Sequence, residues 1–217
     1  MVNIKRRGLI LILSAPSGTG KTTIANKIIK NDNHIDLSVS CTTRSKREGE
    51  INGTNYYFYS KEKFISQINN NKFLEYATIF NDFYGTPKQK VLEKLENGID
   101  VLFDIDWQGH RQLLSTSRAD VTSIFLLPPS KKELLRRLNF RNLDNQEEIK
   151  KRIGVVDEEI SHWYEYDYVI INKDIYQSIE KIMSILRSER LKKERRIGIN
   201  NFVSKLIHES FIYPTTT

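Results

Sequence analysis

One eight-residue segment, residues 15–22, most constrains the fold of this chain, because it connects an apolar stretch to an amphipathic one. The apolar stretch, residues 9–13, has the length and the branched aliphatic content of a buried parallel strand. The stretch that follows, residues 24–29, places apolar side chains on one face of a helix. A strand, a glycine-rich turn and a helix that begins near Gly-Lys-Thr form the pattern of a phosphate-binding loop.

Each residue type in this segment has a separate physical role. Gly18 and Gly20 allow backbone conformations that other residues avoid, and they let the backbone approach a phosphate closely. The loop amides and the first N–H groups of the helix can point at one anion. Lys21 adds a positive charge for the β- and γ-phosphates of a nucleotide, and the Thr22 hydroxyl is placed for Mg²⁺. Ala15 stands where the strict pattern has its first glycine, and the alternative is a glycine-rich turn with an incidental lysine.

Apolar, strand-like runs at residues 101–105, 121–127 and 168–171 alternate with helical patterns further along the chain. This alternation predicts an α/β fold, with a parallel, doubly wound core sheet that carries helices on both faces. Residues 40–85 instead contain short strands and turns, which predicts a small antiparallel lobe inserted into the core. A long helix is expected from Ile175 to about Ile197, opened by Asp174.

We predict one domain over all 217 residues. Its core comprises about 1–39, 93–130 and 165–207, with the inserted lobe at about 40–92 and a helical segment at about 131–164. Ligands of such a sheet bind at the carboxyl ends of its strands. That rule brings residues 14–22, Asp104, Asp106 and Asn172 to one edge.

The composition narrows the possible partners. The formal net charge is +7, which fits either nucleic-acid binding or arginines gathered around small phosphorylated ligands, and the motifs favour the second. The single cysteine, Cys41, rules out an internal disulfide and fits a reducing cytoplasm. No apolar run approaches the length of a membrane span.

A second cluster contains two arginines and two tyrosines. Arg44 and Arg47 are three residues apart and can face one anion, and guanidinium groups fit phosphate with two hydrogen bonds. The hydroxyls of Tyr56 and Tyr84 can add neutral donors. The alternative is that the arginines are solvated loop charges and the tyrosines are core rings.

Carboxylates at two places are candidate ligand contacts. Glu75 interrupts an apolar strand, and a carboxylate can accept parallel hydrogen bonds from guanine N1–H and the guanine amino group, a donor pair that adenine lacks. The alternative is an exposed position on a half-buried strand. Asp104 and Asp106 follow a hydrophobic strand, as acidic residues do near nucleotide-bound Mg²⁺, although a cap at the strand end is the alternative.

A third basic cluster lies in the helical segment 131–164. Arg137 and Arg141 are four residues apart, so they share one helix face, and Arg152 follows on the next helix. Together they could clamp an anion, although a solvated, charged helix face is the alternative.

These clusters, in this order, resemble the guanylate kinase family over about residues 9–197. The matching segments are Ser-Ala-Pro-Ser-Gly-Thr-Gly-Lys at 14–21, Ser-Cys-Thr-Thr-Arg at 40–44 with Arg47, Gly49 and Glu50, Gly53 and Tyr56, Phe-Leu-Glu at 73–75, Tyr-Gly-Thr at 84–86, and Asp-Ile-Asp-Trp-Gln-Gly at 104–109. The family often has a proline between the two arginines of the first segment, where this chain has Ser45 and Lys46. It also often has a glycine where this chain has Asn142.

The resemblance implies transfer of the γ-phosphoryl group of ATP to GMP, as part of guanine nucleotide metabolism, with Mg²⁺ as cofactor. The inserted lobe would then bind GMP, and the helical segment would form a lid. The implied ATP contacts are Ser14, Ala15, Pro16, Ser17, Gly18, Thr19, Gly20, Lys21, Thr22, Thr23 and Asn172. The implied GMP contacts are Ser40, Arg44, Arg47, Tyr56, Glu75, Tyr84, Thr86 and Asp104. The implied catalytic residues are Lys21, Arg44, Arg137, Arg141 and Arg152, and the implied metal contacts are Thr22 and Asp106, partly through water.

The resemblance also implies a cytoplasmic monomer or homodimer without nucleic-acid or membrane partners. A catalytically inactive interaction module of the same fold is one alternative, but such modules lack the intact loop that Lys21 and Thr22 complete here. Another small-molecule kinase of this fold is the second alternative, and Glu75 with Ser40 and Thr86 disfavours it.

Overall fold

The computed structural model describes residues 4–79, 81–139 and 154–209. The described strands are β1 (Lys5–Arg6), β2 (Ile10–Ser14), β3 (Ile35–Leu37), β4 (Cys41–Thr42), β5 (Tyr57–Phe58), β6 (Phe73–Ile79), β7 (Asp82–Pro87), β8 (Asp100–Asp104), β9 (Val121–Leu127), β10 (Tyr168–Ile171) and β11 (Arg196–Ile197). The described α-helices are α1 (Lys21–Asn31), α2 (Lys61–Asn69), α3 (Lys88–Glu96), α4 (Trp107–Ser117), α5 (Lys131–Asn139), α6 (Val156–Ser161), α7 (Ile175–Arg190) and α8 (Ile199–His208).

The core is a five-stranded sheet in the order β10-β9-β2-β8-β3, and every neighbouring pair is parallel. Strand β2 lies in the middle and is buried along its whole length. Its residues alternate between two apolar clusters, one on each face of the sheet. Leu11 and Leu13 pack with residues of α1 and α7, and Ile10 and Ile12 pack with residues of α3 and α4. The prediction of a parallel sheet with helices on both faces is therefore confirmed.

The inserted lobe is a four-stranded sheet in the order β5-β4-β7-β6. Strand β7 pairs antiparallel with both β4 and β6, as predicted for this lobe, whereas the two-residue pair β4–β5 is parallel. The sequence pattern does not predict β7, because its Asp, Gly and Pro residues are depleted in strands and only the neighbouring strands hold it extended. Val91 and Leu95 of α3 pack into the core cluster, so the expected lobe boundary near residue 92 falls inside a helix of the core.

The end of the last core helix differs from its prediction. Asp174 caps α7 as expected by accepting a hydrogen bond from Gln177 N, but the helix ends at Arg190 rather than near Ile197. The chain then turns so that Arg195 is buried against Glu189, and β11 pairs with β1 near the amino terminus. The expected helix is too long because residues 196–197 form β11 instead. Its pairing with Lys5 and Arg6 of β1 joins distant parts of the chain, which a local pattern cannot reveal. In the described part of the chain, no helix is long and apolar enough to cross a membrane.

Candidate active site

The glycine-rich loop follows β2, as predicted, and leads into α1. Gly18 and Gly20 have φ values of 86° and 101°, a left-handed conformation that residues with side chains rarely adopt. A Cβ atom on Gly18 would also lie 2.9 Å from the Leu138 side chain in α5. Glycine is therefore required at position 18 both by the backbone conformation and by the close packing of α5.

Two side chains hold the loop by its Thr19 carbonyl. Asn172 Nδ2 donates to Thr19 O at 2.7 Å, and Arg137 Nη1 donates to the same oxygen at 3.2 Å. Asn172 is only 2% exposed, and its Oδ1 accepts a hydrogen bond from Ser178 Oγ at 2.8 Å. Asn172 thus supports the loop, and its implied contact with ATP stays a prediction.

Lys21 and Thr22 converge on one carboxylate at the end of β8. Lys21 Nζ lies 2.6 Å from Asp104 Oδ1, and Thr22 Oγ1 donates to Asp104 Oδ2 at 3.3 Å. Lys21 Nζ also lies 3.5 Å from the Ile105 carbonyl. In this structure Asp104 therefore faces the loop, and its implied contact with GMP stays a prediction.

Asp106 caps the start of α4. Its Oδ1 accepts hydrogen bonds from Gln108 N and Gly109 N, both at 3.0 Å. The helix consequently begins at Trp107. This cap fixes the short turn between Asp104, at the end of β8, and the start of α4.

Glu75 lies in a polar pocket of the inserted lobe and is 4% exposed. Its Oε1 accepts a 2.6 Å hydrogen bond from Thr86 Oγ1, which lies 3.3 Å from Ser40 Oγ. Burial raises the pKa of the Glu75 carboxyl to about 7, the negative charge of Asp106 acts in the same direction, and the Thr86 hydrogen bond opposes it. The alternative of an exposed strand position is wrong, because the bulge between Phe73 and Glu75 sets the residue inward.

The arginine and tyrosine cluster forms in the same lobe. Arg44 Nη2 lies 2.7 Å from Glu50 Oε1, and the guanidinium lies 5.4 Å from the centre of the Tyr56 ring. The Tyr56 and Tyr84 rings meet edge to face, 6.0 Å apart. Glu50 also accepts from Arg47 N at 2.8 Å, while the Arg47 side chain is exposed. Hydrogen bonding to Arg44 is the main cause that lowers the pKa of Glu50.

Of the three arginines in the third basic cluster, Arg137 lies within the described residues, whereas Arg141 and Arg152, like Asn142, lie outside them. Besides its contact with the loop, Arg137 Nε donates to Glu133 Oε1 at 2.8 Å, and Arg136 binds both oxygens of the same carboxylate. These two arginines lower the pKa of Glu133 to about 2. Glu133 lies in the first turn of α5, and its N–H donates to Ser130 Oγ at 3.1 Å.

The sequence pattern does not predict two residues that contact the site. Glu159 of α6 accepts a 3.3 Å hydrogen bond from Ser17 N, a backbone group of the loop. Gln112 of α4 bonds to the backbone of Tyr76, the residue after Glu75. Both contacts join segments far apart in the chain, so local spacing could not reveal them.

Comparison with known proteins identifies the family. The sequence model described as guanylate kinase matches residues 7–189, which is most of the chain. The chain belongs to the guanylate kinase family. A guanylate kinase of Paramagnetospirillum magneticum is 49% identical over 203 residues, covering 94% of this chain and 95% of that protein. One of Bradyrhizobium diazoefficiens is 48% identical over 203 residues, covering 94% and 93%.

The fold comparison agrees with the sequence comparison. The crystal structure of guanylate kinase from Anaplasma phagocytophilum matches with a TM-score of 0.78 at 37% identity, covering 95% of this chain and 99% of that one. Because both chains are covered almost completely, the core sheet, the inserted lobe and the described part of the helical segment 131–164 all fall within the guanylate kinase fold.

Proposed function

We propose that this chain transfers the γ-phosphoryl group of ATP to GMP and gives ADP and GDP. This is the reaction of the guanylate kinase family. One observation carries the proposal: the stretch from the end of β8 to the first turn of α4 contacts both candidate substrate sites. Asp104 pairs with Lys21 of the loop, and Gly109 lies against Glu75 of the lobe pocket. A phosphate-binding loop and a guanine-reading carboxylate therefore share one structural support.

In this assignment the loop binds ATP and the lobe binds GMP. The loop amides and Lys21 contact the β- and γ-phosphates, and Asn172 holds the loop carbonyl from below. Arg44, with Arg47, Tyr56 and Tyr84, receives the GMP phosphate. For that, the Arg44 guanidinium exchanges its contact with Glu50 for the phosphate oxygens.

Base selection follows from the chemistry of the Glu75 pocket. The ionised carboxylate accepts from guanine N1–H and the amino group, with Asp104 as a further acceptor, while Ser40 and Thr86 hydroxyls donate to O6. AMP would present a lone pair to the carboxylate and leave buried polar groups without partners. Sites built on such hydrogen bonds reject the wrong analogue by roughly 10⁴-fold.

Transfer of the phosphoryl group is direct and in line, so a GMP phosphate oxygen attacks and ADP leaves without a covalent enzyme intermediate. The side chains of Lys21, Arg44, Arg137, Arg141 and Arg152 orient the two anionic substrates and neutralise the charge that develops between them. The protein contribution is therefore positioning and electrostatics.

The donor set beside the loop fits Mg²⁺, a hard cation that binds one or two carboxylates, water and substrate phosphates. Thr22 Oγ1 and Asp104 already lie within hydrogen-bond distance of each other, and Asp106 follows two residues later. We propose that Thr22 contacts the ion directly and that Asp106 holds its water. When bound, Mg²⁺ neutralises phosphate charge and polarises the transferred group.

A coupled assay of ADP formation with GMP, AMP, CMP and UMP tests the function. We expect GMP to be phosphorylated and the other three to be at least about a thousandfold poorer substrates by kcat/KM. Comparable rates with AMP would contradict the proposal, and absence of turnover would favour the inactive interaction module.

Substitution of Lys21 tests the loop in the same assay. Lys21→Ala should reduce turnover to below a tenth of wild type, because the charge facing the phosphates is lost. Its free energy of unfolding should stay within about 0.5 kcal/mol of wild type, since the side chain faces ligand rather than core. Lys30→Ala, an exposed lysine of the same helix, is the control and should leave both quantities unchanged. A Lys21→Ala enzyme above a tenth of the wild-type rate would refute the assignment.

A further inference from the structure

The amide side chain of Gln112 bridges two parts of the molecule that the proposed reaction must hold in register. We propose that Gln112 is a positioning residue for guanine recognition, acting through Glu75. The inference rests on the proposed function and adds a specificity determinant on a core helix, outside the lobe that contains the base pocket.

Gln112 pairs with both backbone polar groups of Tyr76. Tyr76 N donates to Gln112 Oε1 at 3.0 Å, and Gln112 Nε2 donates to Tyr76 O at 2.6 Å. Strand β6 is the outer strand of the lobe sheet, with β7 as its neighbour on one side. An outer strand presents unpaired N–H and C=O groups on its free edge. The Gln112 amide therefore takes the place of a further strand at the residue next to Glu75.

The same helix contacts the Glu75 carboxylate itself. Gly109 lies one helical turn before Gln112, and a Cβ atom on it would lie 3.0 Å from Glu75 Oε2. Gly109 N donates a hydrogen bond to Asp106 Oδ1 at 3.0 Å, which fixes the position of Gly109. Thus α4 lies against Glu75 Oε2 through Gly109 and binds the backbone of Tyr76 through Gln112. The other carboxylate oxygen, Glu75 Oε1, accepts its hydrogen bond from Thr86.

This arrangement matters because two parallel hydrogen bonds to guanine require both carboxylate oxygens at fixed positions. Hydrogen bonds weaken steeply as their distance and angle depart from the optimum. Without Gln112, the edge of β6 at Tyr76 loses both bonds to the core, and Glu75 can shift with the strand. GMP would then lose affinity and selectivity, while the ATP site, formed by β2 and α1, would be unaffected.

The first experiment compares Gln112→Met with wild type. Methionine keeps the length of the side chain and removes both hydrogen bonds. We expect kcat/KM for GMP to fall about tenfold or more, which corresponds to the loss of one or two hydrogen bonds, with kcat/KM for AMP and KM for ATP within about twofold. Gln89→Met is the matched control, because the Gln89 side chain bonds only to Glu93 in the described structure, at 2.9 Å on the same helix.

A double-substitution cycle with Glu75→Gln separates positioning from a general structural role. If Gln112 acts through Glu75, adding Gln112→Met to Glu75→Gln should lower kcat/KM for GMP by less than about threefold. Multiplicative losses, or equal losses for GMP and AMP, would overturn the proposal. Should the methionine variant fail to fold, Gln112→Glu replaces it in the cycle, because it keeps the acceptor for Tyr76 N–H and loses the donor.

The proposed function and the role of Gln112 fail differently. A wild-type enzyme without activity on GMP would reject the function. A wild-type enzyme selective for GMP, with Gln112→Met unchanged in kcat/KM for GMP, would reject the positioning role alone.

Discussion

Among single residues, Glu75 links ionisation to substrate choice. Its carboxyl is buried, accepts one hydrogen bond from Thr86, and has a pKa raised to about 7 mainly by burial. Only the ionised form can accept both guanine donors, since the protonated form carries a hydrogen on one oxygen. The same burial that prevents water from competing for the base therefore makes the carboxylate costly to ionise.

This ionisation predicts a pH dependence for GMP. We expect kcat/KM for GMP to rise between about pH 6 and pH 8, as Glu75 loses its proton in the free enzyme. The pKa of Glu75 in the folded state lies above the ordinary glutamate value of 4.5, so the folded state binds more protons than the unfolded state between about pH 4.5 and 7. The contribution of Glu75 to stability therefore falls as pH rises through that window.

Glu75→Gln supplies the control for this profile. The GMP phosphate itself titrates near pH 6, so the ratio of wild-type to variant kcat/KM isolates the carboxyl. We expect the variant to lose about 2–4 kcal/mol of transition-state stabilisation for GMP at pH 8, calculated from the ratio of the kcat/KM values. The KM for ATP should change little. A ratio that does not change with pH, or a loss below threefold, would mean that Glu75 does not read guanine.

At the scale of elements, α6 places an acidic side chain on the phosphate-binding loop. Glu159 accepts from Ser17 N at 3.3 Å, and burial raises its pKa although the charge of nearby Lys21 opposes this. A bound phosphate would use the same backbone donors, so the carboxylate and the nucleotide compete for them. The negative charges of the Glu159 carboxylate and of a phosphate bound at the same amides would also repel each other.

We therefore expect Glu159→Gln to lower KM for ATP by about three- to tenfold, because the amide removes the negative charge that opposes the phosphates. Isothermal titration with a non-hydrolysable ATP analogue would measure the same change as a lower Kd. Glu158→Gln, an exposed neighbour in α6, is the control and should bind as wild type. Unchanged or weaker binding by Glu159→Gln would show that the carboxylate does not compete with the nucleotide.

At the scale of the whole molecule, one buried carboxylate joins three distant segments. Asp100 at the start of β8 is fully buried, and it pairs with Arg6 near the amino terminus and with Arg190 Nε at 2.6 Å near the end of α7. It also accepts from Leu9 N at 2.9 Å, and Arg190 pairs further with Asp32 at 2.6 Å. This network closes the edge of the core sheet opposite the active site.

Removing this charge should destabilise the fold while sparing the chemistry. We expect Asp100→Asn to lower the free energy of unfolding by about 3–5 kcal/mol, because it removes the negative charge that two largely buried guanidinium groups share and leaves Arg190 with Asp32 alone as an acidic partner. Asp36→Asn is the control: its pair with Lys94 is exposed, and its loss should cost about 1 kcal/mol or less. Urea denaturation measures both. A cost for Asp100→Asn no larger than the control would show that the network does not hold the fold.

Local sequence patterns were sufficient for much of the fold. The apolar run before the glycine-rich loop and the helix after it, the parallel core sheet, and the cap at Asp174 were predictable, because each depends on residues a few positions apart. The loop glycines were predictable as well, since only glycine readily adopts their backbone conformation. The residue types of the pocket, Glu75 with Ser40 and Thr86, could be chosen from their chemistry and from the family resemblance.

Only the tertiary structure decided how these residues meet. The contact of Ser17 with Glu159 spans 142 positions, and that of Tyr76 with Gln112 spans 36. The carboxylate of Asp104 could accept hydrogen bonds from guanine or pair with the phosphate-binding loop, and in the fold it lies beside Lys21. A periodic pattern identifies which face of an element is buried, but the partner across that face depends on how helices and strands pack. The amino-acid sequence by itself therefore determined the elements and the kinds of chemistry available, and the packing of α4 and α6 determined which groups act together.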